Sequence, residues 1–301
     1  IMEANKKKYG IQLGRDDGIF LDDGFFIFDI EEDINGIEIE KKKGFARVIK
    51  TQKKGKPGEL TYIKQIIGRP VSVGSIIKEY PRSGVQTKFF LGSISNALIS
   101  PLHTSLNFAG YNDTIFSKNA TTLANVNLIY SYNIAPFTNF TQLFIDFDLG
   151  LSIPLDDQIS EKFDGGVPTI FSPYLILNKK FGSRLFGAFK FGNGFDYFSI
   201  SDSTKELNYS YRIMTSGFKA GTQLGFCIDP DLMFTINLDF KYTLFIHNIF
   251  LDYNGESFKN DNFEDFNDFN LGGVGINFGI IYELRDSGFN LFGKLDPLKK
   301  Y

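Results

Sequence analysis

The chain has 301 residues, enough for two modest domains or one large all-β unit, and its 32 basic and 35 acidic residues leave a net charge of -3. That balance gives no basic stripe and excludes nucleic acid as a natural partner. One cysteine, Cys227, excludes a disulfide framework or a zinc motif and reads as a small buried residue, while 34 Phe and 14 Tyr beside 30 Gly and no Trp suit bent strands better than long helices.

In chain order, no signal peptide is visible over Ile1 to Lys8, so an exported protein is expected to have lost one, and no later run reaches the roughly 18 apolar residues of a spanning helix. Short apolar runs at Gly18 to Leu21, Gly24 to Ile30, Gly44 to Ile49 and Leu60 to Ile67 alternate with turns such as Asp22-Asp23-Gly24 and Lys56-Pro57-Gly58. They predict four to six short strands, hence a small soluble β-barrel or sandwich over residues 1–84. Lys41-Lys42-Lys43 and Lys53-Lys54 read as solvated turn residues, with contact to anionic cell-wall or lipid groups as the sharper alternative. The segments Gly18 to Gly24, Gly44-Phe45-Ala46-Arg47-Val48, Ile66-Ile67-Gly68 and Val71-Ser72-Val73-Gly74 weakly resemble the small β-barrel module of flagellar assembly protein T.

The composition shifts near Tyr80 to Gly84, and residues 85–103 read as a linker. Beyond them the period becomes two over long stretches. Leu143, Ile145, Phe147, Leu149, Leu151 and Ile153 share one face, opposite Gln142, Asp146, Asp148, Gly150 and Ser152 with Phe144. The stripe recurs in Leu232, Phe234, Ile236, Leu238, Phe240, Tyr242, Leu244 and Ile246, and in Val274, Ile276, Phe278, Ile280 and Tyr282. With weaker versions, eight antiparallel strands are expected at 104–111, 123–132, 142–153, 168–178, 184–198, 211–228, 231–247 and 271–284, followed by a C-terminal tail over 285–301.

Alternation alone does not say which face points inward. Two further patterns choose. Long connections follow the odd-numbered strands and short ones the even-numbered, so they separate onto opposite rims, as in outer-membrane barrels. The polar face carries both signs, Asp146, Asp148, Asp239 and Glu283 against Lys190, Lys219 and Lys241, with Gln223 nearby. A narrow lumen pairs such a set at close range. The stretch from about 100 to 284 resembles the eight-stranded outer-membrane barrels of the OmpA and OmpX type, which implies a transmembrane barrel and an anchoring, adhesive, protective or narrow-pore role. It departs from them in lacking Trp at the membrane interfaces, where Tyr130, Tyr132, Tyr209, Tyr211 and Tyr282 are expected instead.

The motifs for chemistry are sparse, and no enzyme, cofactor or metal is expected. His103 and His247 fall at opposite rims, with His247 expected to face the lumen near the outer end. Gly273-Val274-Gly275 and Gly279 lie inside a strand and open no helix, so they read as relief of crowding rather than a dinucleotide loop. Asp252, Glu256, Asp261, Glu264, Asp265 and Asp268 crowd an external loop without the spacing of an EF-hand. They read as a solvated loop, with a contact surface or cation site as alternatives. The function expected is an outer-membrane protein in contact with lipid, anchoring a periplasmic domain that docks an envelope protein. A small channel and a soluble barrel binding an apolar ligand are the alternatives.

Overall fold

The computed structural model describes residues 1–52, 59–80, 82–99, 119–155, 168–202, 209–253, 256–259 and 270–285. Six strands come first: β1 (Glu3–Asn5), β2 (Lys8–Ile11), β3 (Gly24–Glu32), β4 (Glu38–Lys50), β5 (Thr61–Gly68) and β6 (Ile76–Tyr80). They form one antiparallel sheet in the order β1-β2-β5-β4-β3-β6. Tyr9, Ile11, Phe25, Ile27, Ala46, Val48 and Ile63 make the core of one face. In β4, however, every residue from Gly44 to Val48 is buried, so that strand is covered on both faces.

The second sheet contains β7 (Arg82–Ile99), β8 (Asn119–Asn133), β9 (Leu143–Pro154), β10 (Thr169–Gly182), β11 (Leu185–Asp202), β12 (Tyr209–Cys227), β13 (Leu232–Tyr253), β14 (Glu256–Lys259) and β15 (Gly273–Arg285). Each strand pairs antiparallel with its neighbours, and β12 on β13, β13 on β15 and β15 on β7 close an eight-stranded ring. β14 extends the end of β13 outside that ring.

The first barrel strand corrects the sequence reading. Residues 85–99, expected as linker, belong to β7, and β6 ends at Tyr80 just before β7 begins at Arg82. Amphipathic contrast in β7 is low, which hid it: the outer face mixes Thr87 and Ser93 with Phe89 and Leu91, while Phe90 and Ile94 point inward beside Gln86 and Lys88. The strand expected at 104–111 lies outside the described residues.

Connections 134–142, 183–184 and 228–231 gather on one rim, and the strand ends Ile99, Asn119, Pro154, Thr169, Asp202, Tyr209 and Gly273 lie on the other. The six-stranded sheet sits on the short-turn rim. Asp22 accepts hydrogen bonds from the Gln142 backbone N–H at 2.5 Å and from Asn133 at 3.2 Å, Tyr80 donates to Asp231 at 2.6 Å, and Arg47 reaches Glu283 at 3.2 Å.

Candidate functional site

Period-two alternation in a closed sheet leaves each strand one outward and one inward row. The outward row is apolar on every side of the ring. Leu91, Leu128, Phe147, Leu175, Phe191, Leu224, Leu238 and Phe278 all face out, with Leu238 51% exposed and Leu224 67%. β9 and β15, at 12 and 13 residues, are long enough to cross a hydrocarbon core, which takes about 9 to 11 tilted residues. Such a belt around a ring whose interior is charged is stable only with lipid outside. The barrel is a membrane-spanning one.

Inside, the side chains form three layers. The middle layer is ionic. Lys88 binds Asp146 at 2.6 Å, and Ser131 and Asn178 donate to the same carboxylate at 2.5 and 2.8 Å. Lys219 reaches Asp148 at 2.7 Å, joining β12 to β9 across the ring, and Asn127 supports Asp148 at 2.8 Å. Lys190 binds Asp239 at 2.6 Å, while Asn277 bridges Asp239 and Asn125 at 3.2 and 3.0 Å. Lys241 sits between Asp196 at 2.5 Å and Ser172 at 2.9 Å, and Tyr174 donates to Asp196 at 3.0 Å. Removing ions from water costs several kcal/mol each and is offset only by close pairing with the remaining lone pairs satisfied. Cross-ring pairs with amide and hydroxyl support supply much of that pairing, although Gln223 Nε2, Thr235 Oγ1 and Asn237 Oδ1 are buried there without a protein partner.

Toward the long-loop end apolar side chains join the inward row beside Thr121, Ser152 and Thr215. Ile94 lies opposite Leu123, and Ile170, Phe198 and Ile213 lie opposite one another in turn, all buried and all on the inward row. Apolar side chains gather toward the short-turn end too, and there the six-stranded sheet contributes. Phe45, Ile66 and Tyr80 of the sheet pack in one core with Phe90, Ile129, Phe186, Cys227, Met233 and Ile281 of the barrel, joined by Phe26 and Ile67. This explains the double burial of β4, whose Ala46 and Val48 face the sheet's own core while Phe45 and Arg47 turn to the barrel.

Polar groups lock this seam. Arg47 and Arg82 both engage Glu283, which also accepts from Gln86 at 3.0 Å. Lys180 donates to Gln86 at 2.7 Å and lies against the rings of Phe144 and Phe186 at 4.7 and 5.4 Å. Burial pushes the Asp22 carboxyl above its ordinary range, although Arg47 beside it and its hydrogen bonds from Gln142 and Asn133 pull the other way. Burial likewise pushes Asp23 up to about 7 and lowers the Arg47 guanidinium.

No protein family model and no curated protein matches the chain. Solved structures similar to it include Neisserial surface protein A (7% identity, TM-score 0.43), whose match covers 66% of this chain and 96% of that one. A major outer membrane protein from Thermus thermophilus aligns at 13% identity and TM-score 0.42, covering 66% of this chain and 99% of that one. The outer membrane protease OmpT from Escherichia coli aligns at 11% identity and TM-score 0.33, covering 94% and 99%.

Asp146, Asp148, Lys190, Lys219, Gln223, Asp239, Lys241 and Glu283 are all buried inside the barrel, so the structure gathers the expected polar set in one lumen. It adds Lys88, Lys180, Asp196, Asn125, Asn127 and Asn277, together with Arg47 and Arg82 from below. Asp196 shares the inward row of β11 with Lys190, a signal the sequence carried. Lys88 was hidden with its strand. The two arginines carried no local signal, since their partner lies some two hundred residues away.

Phe234, Leu238 and Phe278 face outward, so the soluble barrel with an apolar pocket is corrected: the inward wall is the polar one. His247 is corrected as well. The register of β12 on β13 slips twice, between Ser216 and Gly217 and between Met214 and Thr215, leaving Leu244 and then His247 as extra residues and reversing the alternation only between them. His247 therefore points out, its ring 6.2 Å from that of Phe195, and Ile246 leaves the outward stripe. Lys41, Lys42 and Lys43 lie in β4 rather than a turn; Lys41 and Lys43 pair with Glu31, and Lys42 covers the Phe26 ring at 3.4 Å. Of the acidic loop, Asp252 pairs with Arg212 and Glu256 opens β14. Asp261, Glu264, Asp265 and Asp268 lie outside the described residues, as do His103, Lys53 and Lys54. Among the described residues no group of three metal-ligating side chains converges.

Proposed function

We propose that this chain is a bacterial outer-membrane protein that holds its six-stranded sheet on the periplasmic side of the membrane as a docking platform, and does not conduct solutes. The observation that carries the reading is the bore, spanned by cross-ring ion pairs, with buried apolar side chains on the inward row toward both ends. An eight-stranded ring is just wide enough for its own side chains to fill, and here the charged ones pair with one another across it. Short turns of outer-membrane barrels face the periplasm, so the sheet on that rim and the start of β7 belong there. A catalytic role finds no support in the tightest cluster: Lys241 pairs with Asp196 and donates to the Ser172 hydroxyl rather than accepting from it.

Planar-bilayer recording of the purified full-length protein tests this reading. Silence is the expected result. Discrete conductance steps that disappear on Lys219→Ala would overturn it and establish the channel. Recovery of the full-length protein in the soluble fraction without detergent would remove the membrane assignment.

A further inference from the structure

The hairpin of β3 and β4 outgrows the sheet it belongs to. β6 pairs with β3 only as far as Phe28, and β5 pairs with β4 only from Gly44 onward. Between them, residues 29–43 form a two-stranded ribbon whose backbone, among the described residues, pairs only within the ribbon, while the side chains of Asp29 and Glu40 reach Ser75 and Lys78. Its turn is well built. Asp33 accepts from the backbone N–H groups of Asn35 and Ile37, both at 2.8 Å, and Gly36 takes the left-handed conformation at φ 78°. At about 3.3 Å per residue the turn stands roughly 30 Å along the ribbon from Gly24, which is anchored at the barrel seam.

The ribbon end exposes isoleucines. Ile34 is 100% exposed, Ile37 59%, Ile30 51% and Ile39 45%. Native sheets guard open edges with charge or proline; this ribbon carries charge, with Lys41, Lys42 and Lys43 at its base and carboxylates toward the tip, yet four isoleucines stand exposed among them. Between Ile30 and Glu40 the charged residues are Glu31, Glu32, Asp33, Glu38 and Glu40, without one base. Glu31 is taken by Lys41 and Lys43, and Glu40 by Lys78. No described cation reaches Glu32, Asp33 or Glu38, which surround Ile34 and Ile37.

We propose that this ribbon is a strand-addition site for a basic, extended segment of a protein partner, whose backbone pairs with an open edge while apolar side chains meet Ile34 and Ile37. The charge pattern selects among occupants. A second copy of the chain would set these carboxylates against themselves, and an anionic lipid surface would be repelled in the same way. A segment alternating Lys or Arg with aliphatic residues satisfies both features. The inference deepens the platform reading and rests on it.

The test uses the full-length protein in detergent micelles and a fluorescent heptapeptide alternating Lys with Val and Ile. Fluorescence anisotropy is expected to show binding that falls at least tenfold for the Ile34→Ser/Ile37→Ser protein and several-fold for Glu32→Gln/Glu38→Gln. Binding should also be lost when alternate peptide nitrogens are methylated, which spares charge and apolar surface but blocks backbone pairing. Binding indifferent to the isoleucines or to methylation would overturn the proposal, as would preference for a Glu-for-Lys peptide, capture of anionic vesicles, or self-association abolished by Ile34→Ser. Ile34→Cys, labelled in whole cells with an impermeant maleimide, separates the two readings. Label added from outside intact cells would sink the periplasmic platform itself. Label only after permeabilisation, with no peptide bound, would sink this site alone.

Discussion

At the scale of single residues, the lumen is a set of charges whose worth lies in company. Asp146 is held by Lys88, Ser131 and Asn178 at once. Asp146→Ala should strand the Lys88 ammonium in a nearly dry interior and cost about 3 to 5 kcal/mol. The double variant Lys88→Met/Asp146→Leu should recover most of that loss, because apolar groups of similar volume replace a buried pair at little net cost. Urea-induced unfolding in lipid vesicles measures both, and a double variant as unstable as the single one would contradict the account. The outward face obeys the opposite rule. Leu238→Arg should cost roughly 2 to 4 kcal/mol in the same assay, since a charge near mid-membrane meets hydrocarbon. Asn237→Ser, one residue along and facing inward, should cost much less.

At the scale of elements, glycines decide where aromatic rings lie. A Cβ on Gly225 would stand 2.2 Å from the Phe186 ring, and one on Gly279 only 2.1 Å from the Phe90 ring. Each glycine is a slot for an inward phenylalanine of the seam core. Gly225→Val should displace Phe186 and lower stability by about 1 to 3 kcal/mol, visible as a lower temperature for loss of the compact band on unheated gels. How far the elements were legible in the sequence follows from the same physics. β8 to β13 and β15 show in the alternation because lipid tolerates few polar groups on one side and paired charges occupy the other. β7 breaks the pattern on both rows and was read as linker. The displaced residue in β13 moved His247 to the opposite face, because register is a pairing property and no single strand encodes its partner's slip. The seam was illegible for a further reason: Phe45, Ile66 and Tyr80 look like any small-domain core, and only the fold shows that the core continues into the barrel.

At the scale of the whole molecule, sheet and barrel share one interior, and their junction should respond to pH. The Asp23 carboxyl, ordinarily near 3.8, is pushed up to about 7 by burial, against the pull of its hydrogen bond from the Phe20 backbone N–H. Below about pH 4 the group is protonated whether the sheet is folded or not, and nothing is lost. Between there and about pH 7 the unfolded state ionises first, so stability falls as pH rises, and above pH 7 the full desolvation cost applies. Hydrogen exchange of the sheet amides should therefore show stronger protection at pH 5 than at pH 8, after correction for intrinsic exchange rates. Asp23→Asn should flatten that slope; an unchanged slope would place the titrating group elsewhere.

The clasp of Arg47 and Arg82 on Glu283 has a consequence for biogenesis. The two arginines are synthesised early, and their carboxylate arrives only with β15, the strand that closes the ring against β7. A nascent chain halted before that strand leaves the two guanidinium groups only Asp22 and Asp231 nearby, without the carboxylate that clasps them, and a seam core lacking Ile281. Its sheet has nowhere dry to seat, and the apolar side of Phe45 and Ile66 stays open to chaperones and proteases. Seating of the sheet thus reports, through one late carboxylate, that the barrel is finished.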